Sequence, residues 1–122
     1  MKIRMMLVDD EERQLNALRD YFEMAGFDVD SAGNAAAAAA LLDSHAYDVV
    51  IADLRLSSGD STEGLGLLRQ ARAGQAKTIL LSAVGTVEVR EQARRQGVDA
   101  ILQKPQPLAE VARVVRDLLG SS

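Results

Sequence analysis

The sequence has 122 residues, a net charge of −4 and no cysteine, which fits one ordinary domain spanning 1–122 and excludes disulfides and thiolate metal sites. Hydrophobic residues make up 48% and aromatic residues 3%, so disorder is excluded and the core must be built from Leu, Val, Ile, Ala and Met. The opening MKIRMMLVDD is a short apolar run closed by two aspartates; it matches neither a signal peptide nor a membrane span of ~20 residues, and a soluble, cytoplasmic chain with no membrane partner is expected.

Along the chain, short apolar runs alternate with longer segments of helical period. Residues 3–8 read as a first strand. Residues 11–25 place Leu15, Leu18 and Phe22 on one helical face, with Gly26 as the stop. Residues 27–32 can form a second strand. The segment 33–44 contains six consecutive alanines, Ala35 to Ala40. Alanine is the best helix former, so this reads as a helix lying close on a sheet rather than a low-complexity tract.

The run DVVIAD (48–53) is a third strand bounded by acids, followed by a Ser- and Gly-rich loop over 54–61. Residues 62–73 are helical, with Leu65, Leu67 and Leu68. KTILLS (77–82) is a fourth strand. Residues 84–96 form a helix candidate with a weak start, because Val84, Gly85, Thr86, Val87 and Val89 are poor helix formers. Residues 99–103 make a fifth strand. Leu108, Val111, Ala112, Val115 and Leu119 mark the inner face of a last helix, and residues 120–122 read as a frayed end.

Five strands thus alternate with five helices. Strands this apolar sit in a parallel sheet covered on both faces. Right-handed crossovers then favour the strand order 2-1-3-4-5, a flavodoxin-like α/β three-layer sandwich.

In such a sheet, ligands bind beyond the carboxyl ends of the strands. Strand one ends in Asp9 and Asp10, strand three in Asp53, strand four in Ser82 and Ala83, and strand five in Lys104 and Pro105. Taken singly each has an ordinary explanation: Asp9 or Asp10 as a helix cap, Asp53 as a loop cap, Lys104 in a surface turn. Together they place three carboxylates, a hydroxyl and an ammonium on one edge, and charges so placed must serve one another. Three close carboxylates suit a hard divalent cation that keeps water and a phosphate oxygen in its shell, as Mg²⁺ does. The charge distribution agrees: residues 1–61 hold 12 acids and 5 bases, whereas residues 62–122 hold 6 acids and 9 bases. That mildly basic second half carries no argument for direct nucleic-acid binding.

The set LVDDEE, IADLRL, LLSA and QKP, in this order and spacing over essentially the whole chain, resembles the receiver domain of bacterial two-component response regulators. The resemblance implies that Asp53 accepts a phosphoryl group from a phosphohistidine of a sensor histidine kinase or histidine phosphotransfer protein. It implies a Mg²⁺ (or Mn²⁺) cofactor held directly by Asp10 and Asp53, through water by Asp9, and by the backbone carbonyl of Arg55. Ser82 and the Ala83 N–H would contact phosphoryl oxygens, Lys104 would neutralise their charge, and the Lys104–Pro105 bond would be cis. The output would be a change of conformation read by a partner domain or protein. The chain would then be a signalling phosphoacceptor, assisting its own phosphorylation and dephosphorylation, and not an enzyme in the ordinary sense.

The departures from the family pattern are specific. Ser57 stands where the family often has proline, the loop from Asp53 to Gly64 runs a few residues long, Ile101 holds the place of the aromatic switch, and Gln106 replaces a frequent aromatic. An alternative is therefore a receiver-like interaction module that works without phosphorylation. A haloacid-dehalogenase-type phosphatase would carry D-x-D after strand one and a cap domain for which there is no length. A flavodoxin would need a hydroxyl-rich phosphate loop where DDEE stands. His45 reads as a surface residue in a helix-to-strand loop. Arg90, Arg94, Arg95, Arg113 and Arg116 read as a solvated helix surface before they read as a docking face.

Overall fold

A computed structural model describes residues 2–53, 61–82, 91, 94–95, 97–103 and 106–120, of which 61–65 and 82 by their backbone alone. The elements are β1 (Arg4–Val8), α1 (Glu12–Met24), β2 (Asp28–Ala32), α2 (Ala35–Ser44), β3 (Val49–Asp53), α3 (Ser61–Ala73), β4 (Lys77–Ser82), β5 (Ala100–Gln103) and α4 (Leu108–Gly120). All strand pairs are parallel and the sheet order is β2-β1-β3-β4-β5, as the crossover argument predicts. The expected helix over 84–96 falls largely outside the described residues; Glu91, Arg94 and Arg95 are helical. Gly120, expected to fray, closes α4.

Alternation along each strand divides the core in two. Met5 and Leu7 of β1, Val49 and Ile51 of β3, and Ile79 and Leu81 of β4 pack with Leu15, Leu18 and Phe22 of α1 and Val111, Ala112 and Val115 of α4. Met6, Val8, Val50, Ala52 and Leu80 pack on the other face with Ala38, Leu67, Leu68 and Ala71 of α2 and α3. Of the helix faces read from the sequence, Leu15, Leu18, Phe22, Leu67, Leu68, Val111, Ala112 and Val115 are buried and Leu108 and Leu119 half-buried, while the Leu65 side chain lies outside the described residues. Phe22 is fully buried, and truncating such a residue to alanine costs about 3–5 kcal/mol.

The alanine run is helical because its start is capped and its side chains allow close approach. The Asn34 side chain accepts the Ala37 N–H at 2.8 Å, satisfying one orphan donor of the first turn. Ala38 is fully buried against the sheet while Leu41 and Leu42 pack at its margin.

Two helices end in the same way. In α1 the Phe27 N–H reaches the Phe22 carbonyl and the Gly26 N–H reaches Glu23, both closing back over the last turn. In α3 the Ala76 N–H reaches Ala71 and the Gln75 N–H reaches Arg72. Both are Schellman motifs, with the turning residue in the left-handed region: Gly26 at φ 98° and Gln75 at φ 71°.

At the sheet edge away from the strand carboxyl ends, the chain entering β5 is tied down. Asp99 Oδ2 accepts the Thr78 N–H at 2.8 Å and its hydroxyl at 3.1 Å. The Asp99 N–H donates to the Thr78 carbonyl, and the Arg72 guanidinium donates to the Gly97 carbonyl.

Candidate functional site: an acidic cluster at the strand carboxyl ends

The register of the sheet builds the site. Val8 of β1 pairs with Ala52 of β3, so the next residues, Asp9 and Asp53, emerge side by side at the carboxyl ends of neighbouring strands. Both continue the parity of Met5–Leu7 and Val49–Ile51 and therefore share a face of the sheet. Asp9 and Asp53 are buried, at 2% and 6% exposure, whereas Asp10 is exposed. One carboxylate oxygen from each of Asp9, Asp10 and Asp53 lies within 4.8 Å of the others.

Local structure fixes Asp9 firmly. Its N–H donates to the Ala32 carbonyl at 3.1 Å, extending the β1–β2 ladder by one residue. Its Oδ1 accepts the Glu11 N–H at 2.9 Å. The helix α1 begins at Glu12 with Glu11 as its N-cap, and the Glu11 side chain makes no cap bond. Asp9 thus partly serves the capping role considered for it, but by turning the chain into α1 two residues before the cap.

Ser82 ends β4 and pairs with Gln103 of β5, which places its backbone at the same sheet edge. Lys104 follows Gln103 in sequence; Lys104, Arg55 and Ala83 lie outside the described residues, as do the Lys104–Pro105 bond and the 54–60 loop. The structure therefore brings three of the seven candidate residues together as side chains and a fourth to the edge as backbone. The sequence reading did not single out the Glu11 N–H, whose part follows from backbone geometry alone.

Three carboxylate oxygens so close repel one another, and a hard divalent cation relieves that repulsion while leaving coordination positions for water and a phosphoryl oxygen. The donor set of Asp9, Asp10 and Asp53 fits such an ion by its chemistry. Ile101, an aliphatic residue on β5, is half-buried against the α2–α3 side of the core. His45 is exposed at the end of α2, as expected of a helix-to-strand loop. Among Arg90, Arg94, Arg95, Arg113 and Arg116, Arg95 pairs with Glu91, and Arg113 with Glu110 and Asp117; Arg94 and Arg116 are exposed, and Arg90 lies outside the described residues. Those contacts fit a solvated helix surface. Among the described residues no helix is long and apolar enough to cross a membrane.

Comparison with known proteins agrees with this geometry. The family model described as the response regulator receiver domain matches residues 5–116. The chain is 33% identical over 117 residues to the transcriptional regulatory protein CusR of Escherichia coli, an alignment covering 96% of this chain and 51% of CusR. It thus spans about half the length of that relative. Among solved structures, a CheY-like receiver domain protein from Methanospirillum hungatei superposes with a TM-score of 0.91 at 21% identity, over 98% of this chain and 95% of that one. A response regulator from Burkholderia pseudomallei, determined with a phosphorylated aspartic acid, a calcium ion and citrate, gives 0.86 at 21% identity, over 98% of this chain and 69% of its own. With its parallel sheet in the order β2-β1-β3-β4-β5, its acidic cluster at the strand carboxyl ends and a family match over most of its length, the chain belongs to the response regulator receiver domains of two-component systems.

Proposed function

We propose that Asp53 is the phosphoacceptor of this receiver domain. The observation that carries the reading is the placement of a buried Asp53 carboxylate at the end of β3, within 4.8 Å of carboxylate oxygens of Asp9 and Asp10. An Asp53 carboxylate oxygen attacks the phosphorus of a phosphohistidine in a sensor kinase or phosphotransfer protein. The P–N bond breaks, its electron pair returns to the imidazole, which takes up a proton, and an acyl phosphate forms on Asp53. A carboxylate is a weak nucleophile toward an anion, so positioning and charge neutralisation must supply the catalysis.

Bound among Asp9, Asp10, Asp53 and the carbonyl of Arg55, Mg²⁺ or Mn²⁺ would supply positive charge to the carboxylates and the phosphoryl oxygens. Lys104 adds a second positive charge, and the Ser82 hydroxyl and Ala83 N–H donate to phosphoryl oxygens. The same groups assist hydrolysis, in which water attacks the phosphorus and the Asp53 carboxylate leaves. The phosphoryl group adds negative charge beside Ser82, and movement of that hydroxyl toward it is the local event that an output partner reads. The working place is the cytoplasm.

Mixing the protein with acetyl phosphate and Mg²⁺ and measuring intact mass tests the reading. Wild type gains one phosphoryl group and Asp53→Asn gains none while keeping its far-ultraviolet circular dichroism. Uptake by Asp53→Asn at the wild-type rate overturns the assignment. The aliphatic Ile101 on β5 favours a second reading, an interaction module that works unphosphorylated; absence of any mass gain in the wild type would support it.

A further inference from the structure

At the end of the molecule opposite Asp53, a crevice of about 300 Å³ opens between the carboxyl ends of α2 and α3, lined by Leu42, Asp43, His45, Tyr47, Gln70 and Gly74 among others. The two helix ends that meet there differ. The α3 end is closed by its own N–H groups through Gly74, Gln75 and Ala76. The α2 end is open. Its chain leaves in extended conformation at His45 (φ −137°), and the last closing bond runs from the His45 N–H to Leu41. Among the described residues, no protein group donates to the carbonyls of Leu42, Asp43 and Ser44.

Such orphan carbonyls carry the negative end of the helix dipole and favour a cation. The last turn of α2 has no basic residue to serve them, and Arg72 near the end of α3 is turned to the Gly97 carbonyl instead. The Asp43 carboxylate adds a full negative charge. Its Oδ1 accepts the Gln70 amide at 2.9 Å, and among the described residues its Oδ2 accepts no hydrogen bond. Exposed His45 adds a flat ring beside these acceptors, 6.3 Å from Tyr47 between ring centres. The crevice is therefore lined by acceptors, one carboxylate and a planar ring, with the Arg4 guanidinium 5.3 Å from the Tyr47 ring centre beside it.

We propose that this crevice is a binding site for a planar guanidinium cation. A guanidinium presents several N–H donors in one plane, which suits a carboxylate and helix-end carbonyls of residues that line one crevice, and its faces stack on aromatic rings. An ammonium offers a point charge without the plane or the stacking. The chemistry is shared by two sources, an arginine side chain on a partner polypeptide and a free guanidino compound. The site lies at the end of the sheet away from the acidic cluster.

Amide-resolved NMR titration tests it with three probes at equal ionic strength: N-acetyl-arginine-N-methylamide, its citrulline counterpart, which is neutral and of the same shape, and agmatine. Arginine is expected to shift the amides of residues 43–47, Gln70 and Gly74, with citrulline at least about tenfold weaker, as for loss of a charge-assisted hydrogen bond. Exposed Asp43 can be replaced without disturbing the core, and Asp43→Asn should weaken arginine binding about fivefold to tenfold while the amides near Asp53 stay where they are. Binding of the capped arginine above agmatine identifies a polypeptide source, and the reverse order a free guanidino compound. Equal binding of arginine and citrulline, shifts confined to the neighbourhood of Asp9, Asp10 and Asp53, or indifference to Asp43→Asn would overturn the proposal.

Discussion

Gln75 occupies at the end of α3 the position that Gly26 occupies at the end of α1. Each is the left-handed residue of a Schellman motif, at φ 71° and φ 98° respectively. Glycine adopts that conformation without a side-chain penalty, whereas a β-carbon there meets the following carbonyl at a cost of about 1–2 kcal/mol. Gln75→Gly should therefore stabilise the protein by about 1 kcal/mol, less the added entropy of the unfolded chain. Gly26→Ala should destabilise it by a similar amount. Chemical denaturation of the two variants decides this; a loss of stability in Gln75→Gly would mean that its side chain is worth more than the strain.

Tyr47 donates its hydroxyl to Asp30 Oδ2 at 2.6 Å, and the Arg4 guanidinium lies 5.3 Å from the ring centre. Burial, and then the bond to Asp30, push the Tyr47 phenol well above its ordinary value of 10.0. A proton held more tightly in the folded state stabilises fully below the unfolded pKa and is lost as pH rises through the folded one. Tyr47→Phe should accordingly cost about 1 kcal/mol at neutral pH, where the hydrogen bond is lost. Wild-type stability should fall as pH climbs above 10, and that part of the fall should be missing in Tyr47→Phe. Parallel urea titrations at neutral and alkaline pH provide the check, and identical pH dependences would contradict it.

Asp9 and Asp10 should answer differently to removal. Asp10 is exposed and, among the described residues, holds no hydrogen bond. Asp10→Ala should therefore weaken Mg²⁺ binding severely while slightly raising the metal-free melting temperature, since one of three crowded charges is gone. Asp9→Ala should weaken Mg²⁺ binding only about tenfold, as expected of a group acting through water. It also loses the bond from the Glu11 N–H, so it should destabilise the apo protein by about 1 kcal/mol. Thermal melts with and without Mg²⁺ separate the two; a metal-induced shift untouched by Asp10→Ala would remove that residue from the site.

The switch should have a fixed end. Residues 83–96 begin with weak helix formers directly after Ser82, whereas 97–99 are held to Thr78 and Arg72 by the bonds of Asp99 and Gly97. Phosphorylation, or a beryllofluoride mimic, should change amide hydrogen exchange most within 83–96 and leave the Asp99 amide protected in both states. A change centred on the 54–64 loop would make that long loop the switching element instead.

Among the described residues, which segments form strands and helices is legible because apolar runs and helical spacings are local. Residues 77–82 were read as a strand with the bounds the structure gives, and Leu15, Leu18 and Phe22 are the buried face of α1. The acidic residues at the strand ends were legible for the same reason, since an apolar run that stops at a charge marks the end of a buried strand. The open end of α2 and the strained Gln75 were not legible. Each depends on backbone dihedrals that no side-chain pattern announces, and glutamine is not a residue that marks a left-handed turn.

By itself the sequence determined the five strands, the helices the structure describes and the positions of Asp9, Asp10 and Asp53 at strand ends. Only the tertiary structure decided that these three meet, through the pairing of Val8 with Ala52 that sets Asp9 beside Asp53. It likewise decided that the carboxyl ends of α2 and α3 flank one crevice. The physical reason is that periodicity is written in neighbouring residues, whereas register and helix placement come from packing both faces of the sheet at once.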